Sequence, residues 1–130
     1  MNLLINIDVP VLDPAIRFYC AAFDLKLQRI LDDDVAELVG ASSLVYLLRK
    51  DESSLASEFS SDHRCYQRHW TPIHFDVVVD DIAQAVERVI KAGAKTESEC
   101  KEWRGSKCAS FSDPFGHGFC LIEFEQNSYL

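Results

Sequence analysis

The apolar residues of this chain follow a strand pattern first and a helix pattern next. Residues 3–9 alternate apolar and polar side chains with a β-branched bias, which predicts a strand. Asp13 and Pro14 then predict a helix start, since they would supply an N-cap and a proline at the first helical position. The apolar stripe of this helix is predicted to comprise Ile16, Tyr19, Cys20 and Phe23. A strand and an amphipathic helix therefore open the fold.

Three short apolar stretches follow the helix and are separated by the turn-forming segments DDD and GASS. They predict strands over 25–31, 35–39 and 44–48. Residues 1–49 are therefore predicted to form a βαβββ module. The next residues, about 50–70, are polar and rich in serine without a helical or strand period, which is typical of a linker.

The remaining residues, about 71–130, repeat this plan. A strand is predicted over 73–79, Asp80 or Asp81 would cap the next helix, and Gly93 would end it in the left-handed conformation. The apolar stripe of this second helix is predicted to comprise Ile82, Val86, Val89 and Ile90. Three more strands are predicted over 95–101, 107–112 and 119–125. Each module alone would expose one apolar sheet face, so the two modules are predicted to enclose a pocket within a single domain.

Composition narrows the class of protein. With 130 residues, 48% of them hydrophobic, the chain can bury a core without disulfides or a structural metal. A net charge of -8 argues against nucleic acid and anionic membrane surfaces as partners, and no apolar run approaches the ~20 residues of a membrane span. The five cysteines form no CxxC pair, which favours the cytoplasm, and Cys20, Cys108 and Cys120 are predicted to be buried.

Three stretches of the sequence carry a resemblance. VLDPAIRFYCAAFDLKL, PIHFDVVVDDIAQAVERVIKAGAK and SFSDPFGHGFCLIEF match the first helix, the opening of the second module and the DPxG turn of a known superfamily. On these residues the chain resembles the vicinal oxygen chelate superfamily, the group of glyoxalases, bleomycin-resistance proteins and extradiol dioxygenases. The resemblance implies an α+β fold in which two βαβββ modules form paired, curved mixed sheets around a pocket.

The resemblance also implies where a metal would bind. In metal-dependent members four ligands come from the first and last strands of each module, and these positions fall here on Leu4, Tyr46, His74 and Cys120. Two of the four positions cannot hold a metal, so no metal and no other cofactor is predicted. Glu123 has the opposite strand parity from Cys120 and would face the pocket only through a bulge. If a divalent metal binds, His74 and Glu123 are the predicted ligands.

Polar and aromatic residues are candidates for the pocket wall. The predicted ligand-binding residues are His74, Asp76, Asp8, Asn6, Tyr46, Trp103 and Cys120. His74 and Asp76 alternate on one strand and would reach one ligand, although a core histidine is an equal alternative. Asn6 and Asp8 share one strand face, where a ring of solvated polar groups is the plainer alternative. The basic loop residues His63, Arg64, Arg68 and His69 are predicted to face solvent rather than to close over an anion.

Three functions remain open at this point. The leading prediction is a metal-free protein that binds a small, partly aromatic or cationic molecule, in the manner of the bleomycin-resistance binders. The alternative is a metal-dependent lyase or dioxygenase of the glyoxalase type with an atypical ligand set. A third is a protein whose pocket is filled and whose interface matters more. A homodimer is predicted in each case, because family members of this length commonly pair modules between chains and the sheet edges need covering.

Overall fold

The computed structural model describes all 130 residues and divides them into two compact units, residues 1–67 and residues 68–130. Each unit contains one helix and one mixed sheet, which confirms the α+β class. Neither helix is long and apolar enough to cross a membrane.

The first unit forms a four-stranded sheet. Its elements are β1 (Ile5–Val9), α1 (Leu12–Phe23), β2 (Lys26–Leu31), β3 (Val35–Val39) and β4 (Val45–Arg49). The strand order is β1-β4-β3-β2, and β1 runs parallel to β4 while the other pairs are antiparallel. Alternate strand residues turn an apolar face toward α1, and the buried strand residues include Ile7, Val9, Ala36, Leu38, Val45 and Leu47. The other face of the sheet carries the polar residues.

The second unit repeats this arrangement with a divided edge. Its elements are β5 (Phe75–Val78), α2 (Ile82–Ala92), β6 (Lys95–Thr96), β7 (Lys101–Trp103), β8 (Ser106–Ser112) and β9 (Gly118–Phe124). The strand order is β5-β9-β8-β6, and β7 also pairs with β8. The rings of Phe75, Phe119 and Phe111 stack in a row across the sheet, with centroid separations of 6.2 and 5.7 Å. Phe111 and Phe119 are buried in the core of the unit, and Phe75 is half-buried.

The turn before β9 is held by one buried carboxylate. Asp113 is 2% exposed, and its Oδ1 atom accepts the backbone N–H groups of Phe115 at 2.8 Å and His117 at 2.9 Å. Gly116 has a φ of 88°, a conformation that glycine adopts without steric cost. The DPxG sequence therefore encodes the geometry that leads the chain into β9.

The prediction for the start of the first helix is wrong. α1 begins at Leu12 with Val11 at the N-cap and without a side-chain cap, so Asp13 and Pro14 lie inside the first turn. Proline is tolerated there because the first N–H groups of a helix have no partner within the helix. The predicted stripe is also rotated, since the residues that are buried are Leu12, Ala15, Phe18, Tyr19 and Ala22. Apolar residues lie on more than one face of this helix, and tertiary packing selects the face.

The second helix matches its predicted ends. The side chain of Asp81 accepts the N–H of Gln84 at 3.0 Å, and Gly93 ends the helix with a φ of 119°. Its predicted stripe is wrong in part, because Ile90 is 48% exposed and Ala85 is buried instead.

The predicted strand over 95–101 is wrong, because the structure divides it into β6 and β7. The N–H groups of Glu97 and Ser98 both donate to the carbonyl of Ser110, at 2.8 and 3.3 Å. Two residues therefore oppose one, as in a β-bulge, and the ladder is interrupted.

Candidate functional site

Three chemically different side chains meet on the sheet of the second unit. Asp76 on β5 is the direct cross-strand partner of Cys120 on β9. His74 precedes Asp76 by two residues, so strand geometry directs both side chains to the same side. The Nε2 atom of His74 lies 3.5 Å from Oδ1 of Asp76. One nitrogen of the imidazole, one carboxylate oxygen and the Cys120 sulfur all lie within 4.8 Å of one another. The structure thus brings together three of the sequence-predicted site residues.

A cleft of about 170 Å³ adjoins this cluster and is lined in part by Arg68, His74, Glu97, Ser110, Phe119 and Cys120. Sites for drug-sized ligands commonly measure about 300 to 1,000 Å³, so this cleft suits only a small group. The His74 side chain is 59% exposed and that of Asp76 is 36% exposed, so the cluster is open to solvent.

An arginine and a glutamate also line the cleft. Arg68 donates from Nε and Nη2 to the two carboxylate oxygens of Glu97, at 2.6 and 3.0 Å. This contact holds the pKa of Glu97 below its ordinary value. A Cβ atom at position 118 would lie 2.7 Å from Nη2 of Arg68, so the glycine at this position leaves room for the guanidinium group. Arg68 is exposed, as predicted for the basic patch, but the sequence did not predict its ion pair with Glu97.

Cys120 has polar and thiol neighbours. The hydroxyl of Ser110 lies 3.3 Å from its sulfur on the adjacent strand. Burial, followed by the proximity of Cys120, raises the pKa of Cys108 to about 11. Both cysteines, like Cys20, are half-buried rather than buried as predicted, and all five cysteines are free thiols.

The sheet of the first unit carries a different polar row, formed by the successive cross-strand partners Asn6, Tyr46, Glu37 and Arg29. Glu37 accepts the Tyr46 hydroxyl at 2.7 Å and the Arg29 Nε–H at 2.9 Å. It also accepts the side-chain amide of Gln28 at 3.1 Å. The Glu37 side chain is only 2% exposed. Arg29 and then Tyr46 lower the pKa of Glu37, and the same hydrogen bond raises the pKa of Tyr46.

Asp8 is engaged by the loop that follows β4. The Nε atom of Arg64 donates to Asp8 Oδ2 at 2.8 Å, and the same guanidinium donates to the carbonyls of Leu55 and Ala56. The Arg64 side chain is 18% exposed. The prediction that Arg64 faces solvent is therefore wrong, since it ties the loop to β1 through the Asp8 carboxylate.

Trp103 and Glu123 lie away from the cluster. Trp103 is 63% exposed, contacts Tyr129 with ring centroids 5.1 Å apart, and lines a second cavity of about 520 Å³ that His74 does not line. The prediction that it borders the same pocket as His74 is therefore wrong, because the β7–β8 hairpin carries it to another part of the unit. The Glu123 carboxylate accepts a hydrogen bond from the N–H of Ile82 at 2.7 Å. Its negative charge stabilises the N-terminus of α2 by interacting with the helix dipole. A metal ligand pair of His74 and Glu123 does not form.

A four-ligand metal site of the kind that the resemblance implies does not fit the residues present. Leu4 offers only hydrocarbon, and the Tyr46 hydroxyl is committed as a donor to Glu37. What remains is the nitrogen, oxygen and sulfur set of the second unit, His74, Asp76 and Cys120. A thiolate in such a set would favour a soft ion such as Zn²⁺ over Mg²⁺ or Ca²⁺.

Sequence reasoning missed Glu37, Arg29, Glu97 and Ser110. Glu37 could have been noticed as the one charged residue in the apolar strand VAELV, where a carboxylate needs buried donors. The contact between Arg68 and Glu97 has no comparable signal, because 29 positions separate the two residues.

Comparisons with known proteins agree with this architecture. The profile of the Glyoxalase-like domain family matches residues 4–122. No protein with a curated description matches the sequence.

Many solved structures share the fold, and three of them illustrate the similarity. A hypothetical protein from S. aureus is 21% identical, with a TM-score of 0.74, and the match covers 95% of this chain and 93% of that one. The fosfomycin resistance protein FosX from Listeria monocytogenes is 16% identical, with a TM-score of 0.70 and coverage of 95% and 92%. Lactoylglutathione lyase from Agrobacterium tumefaciens is 18% identical, with a TM-score of 0.67 and coverage of 99% and 97%. Because the family profile matches residues 4–122, the chain belongs to the Glyoxalase-like domain family.

Proposed function

We propose that this protein binds a small organic molecule without a metal, and that the cleft beside His74, Asp76 and Cys120 holds part of it. The observation that carries the proposal is that His74, Asp76 and Cys120 converge beside a cleft open to solvent, which His74 and Cys120 line. Small-molecule sites commonly combine apolar walls with a few polar groups that fix orientation. The poor fit of a four-ligand metal site supports the metal-free form of the proposal.

A thermal-shift screen tests this function. The purified protein is heated with a panel of aromatic carboxylates, aromatic amines and quaternary ammonium compounds, because a ligand that binds the folded state raises the melting temperature by mass action. We expect at least one compound to raise the melting temperature of the parent and not that of His74→Ala. The matched control is His63→Ala, which removes an exposed histidine of the first unit and should keep the shift. A shift that survives in His74→Ala, or no shift with any compound, contradicts the proposal.

A metal-dependent lyase or dioxygenase is the second candidate, and the spacing of the His74, Asp76 and Cys120 donor atoms favours it. Elemental analysis of the purified protein, with melting curves in the presence of Zn²⁺, Ni²⁺ or Mn²⁺, separates the two. One equivalent of bound metal that is lost in Cys120→Ser would replace the metal-free proposal.

The proposed assembly is a cytoplasmic homodimer. The structure leaves several large apolar side chains exposed, among them Leu4, Trp70, Ile73 and Val78, and a second copy of the chain would cover such residues. Light scattering at micromolar concentration tests this state, and a mass of about 14.7 kDa would contradict it.

A further inference from the structure

We infer that Cys120 is a nucleophile that captures small α,β-unsaturated carbonyl compounds, with His74 as its proton acceptor and Asp76 as the group that positions His74. This inference rests on the proposed small-molecule function of the cleft and names the class of ligand. A thiol, a base and a group that orients the base are the elements of an activated cysteine, which is recognised by geometry rather than by sequence order.

The distances place all three groups within reach of one reacting molecule. One imidazole nitrogen lies within 4.8 Å of both the Cys120 sulfur and a carboxylate oxygen of Asp76, and Asp76 Oδ1 lies 3.5 Å from Nε2. The carboxylate therefore favours the charged imidazole that forms when the thiol gives up its proton. A nucleophile and its base often stand slightly beyond hydrogen-bond distance until a ligand binds. Cys120 is half-buried, and the cleft gives access to it. A reactive cysteine needs this combination of partial exposure and a neighbouring base.

The neighbours of Cys120 favour an activated alkene as the partner. The Ser110 hydroxyl, 3.3 Å from the sulfur, can donate a hydrogen bond to a carbonyl oxygen close to the attacked carbon. The small volume of the cleft suits a compound of few heavy atoms. The adjacent thiol of Cys108 does not compete, because its pKa of about 11, raised first by burial, keeps it protonated at neutral pH.

The reaction balances without any further reagent. The Cys120 sulfur transfers its proton to His74 and attacks the β-carbon, so that a C–S bond forms. The π electron pair of the alkene moves to the α-carbon and the carbonyl oxygen as an enolate. His74 then returns the proton to the α-carbon, which restores the carbonyl group. The product is a saturated thioether, no group leaves, and no electrons are exchanged with another molecule.

Competitive labelling tests the inference, because the chain contains its own controls. The intact protein is treated briefly with acrylamide at neutral pH, and each cysteine-containing peptide is quantified by mass spectrometry. We expect Cys120 to react roughly tenfold or more faster than Cys65 and Cys100, although those two thiols are exposed. Labelling of Cys120 that is no faster than that of the exposed thiols would overturn the inference.

Variants separate chemistry from access. In His74→Gln, which keeps a polar side chain at this exposed position, the rate at Cys120 should fall to that of the exposed thiols, while Asp76→Asn should lower it by a smaller factor. His63→Gln should leave the rate unchanged. An unaltered rate in His74→Gln, with the melting temperature preserved, would also overturn the inference.

The saturated amide propionamide and the thermal-shift panel distinguish this inference from the proposed function. Slow labelling of Cys120 together with a ligand shift that depends on His74 would leave the binding function intact and remove the nucleophile. Fast labelling that depends on His74 and is not slowed by excess propionamide would assign the reactivity to the thiol and base alone. It would overturn the claim that the cleft recognises the carbonyl compound.

Discussion

The two sheets present polar rows that occupy equivalent places in their modules and differ in how far their groups are satisfied. In the first unit the Glu37 carboxylate is 2% exposed and accepts hydrogen bonds from Arg29, Gln28 and Tyr46. In the second unit His74 and Asp76 are largely open to solvent beside the Cys120 thiol. Buried, fully satisfied networks make a fold rigid, whereas exposed groups with few partners are free to meet a ligand. The first row therefore contributes mainly to stability, whereas the second is accessible to a ligand.

The largest expected effect is the loss of stability in Glu37→Ala. This change leaves the Tyr46 hydroxyl and the Gln28 amide without their acceptor on the sheet, and removes the partner of Arg29. We expect the melting temperature to fall by roughly 5 °C or more. Asp34→Ala is the matched control, since Asp34 pairs with Arg49 at the surface, where both side chains are more than two-fifths exposed. Exposed ion pairs contribute little to stability, so the melting temperature of Asp34→Ala should fall by only about 1 or 2 °C. Equal losses in the two variants would contradict the assignment of the first row to stability.

The acid side of the stability curve should distinguish the buried carboxylate of the first row, Glu37, from the exposed carboxylate of the cleft, Glu97. Arg29 and Tyr46 lower the folded-state pKa of Glu37, and Arg68 lowers that of Glu97. Each carboxylate therefore contributes stability above the unfolded value of about 4.3, and loses it as the pH falls through the folded pKa. The free energy of unfolding of the parent, measured with urea, should fall over this pH range. Its dependence on pH should decrease more in Glu37→Gln than in Glu97→Gln, because solvent screens the more exposed pair. Parallel curves for all three proteins would show that neither pair controls the acid transition.

Local signals in the sequence predicted the parts of the fold that depend on neighbouring residues. The Asp81 cap, the Gly93 helix end and the turn after Asp113 follow from side chains that bond to backbone a few positions away. The start of α1 was predicted wrongly because tertiary packing, rather than the Asp13 and Pro14 signal, determines where the helix begins.

The candidate site was only partly predictable for a related reason. Counting from the DPxG turn gave the position of Cys120, and strand alternation joined His74 to Asp76. Glu37 and Arg29 meet across strands, where register decides the pairing, and Arg68 meets Glu97 through a loop. Contacts of this kind depend on pairing and loop geometry that one sequence does not specify.

A smaller effect is expected when the glycine beside Arg68 is replaced. In Gly118→Ala the new Cβ would lie 2.7 Å from Arg68 Nη2, so the guanidinium must move away from Glu97. A flexible side chain moves at little cost, so we expect a loss below about 1 kcal/mol together with a rise in the Glu97 pKa, measured by NMR titration. Gly93→Ala is the control, because its φ of 119° is strained for any L side chain and should cost more. An unchanged Glu97 pKa in Gly118→Ala would show that Arg68 is not held against the glycine.

The smallest expected effect is that of His74→Ala on stability. A core histidine replaced by alanine would leave a void and an unpaired partner, whereas the side chains of His74 and Asp76 are 59% and 36% exposed. We therefore expect the free energy of unfolding to change by less than about 0.5 kcal/mol, measured by urea unfolding. Leu47→Ala sets the scale in the same experiment, since Leu47 is fully buried and should cost about 2 to 5 kcal/mol. If His74→Ala approached that loss, His74 would support the fold, and the contrast between a stabilising first row and a reactive second row would fail at its central residue.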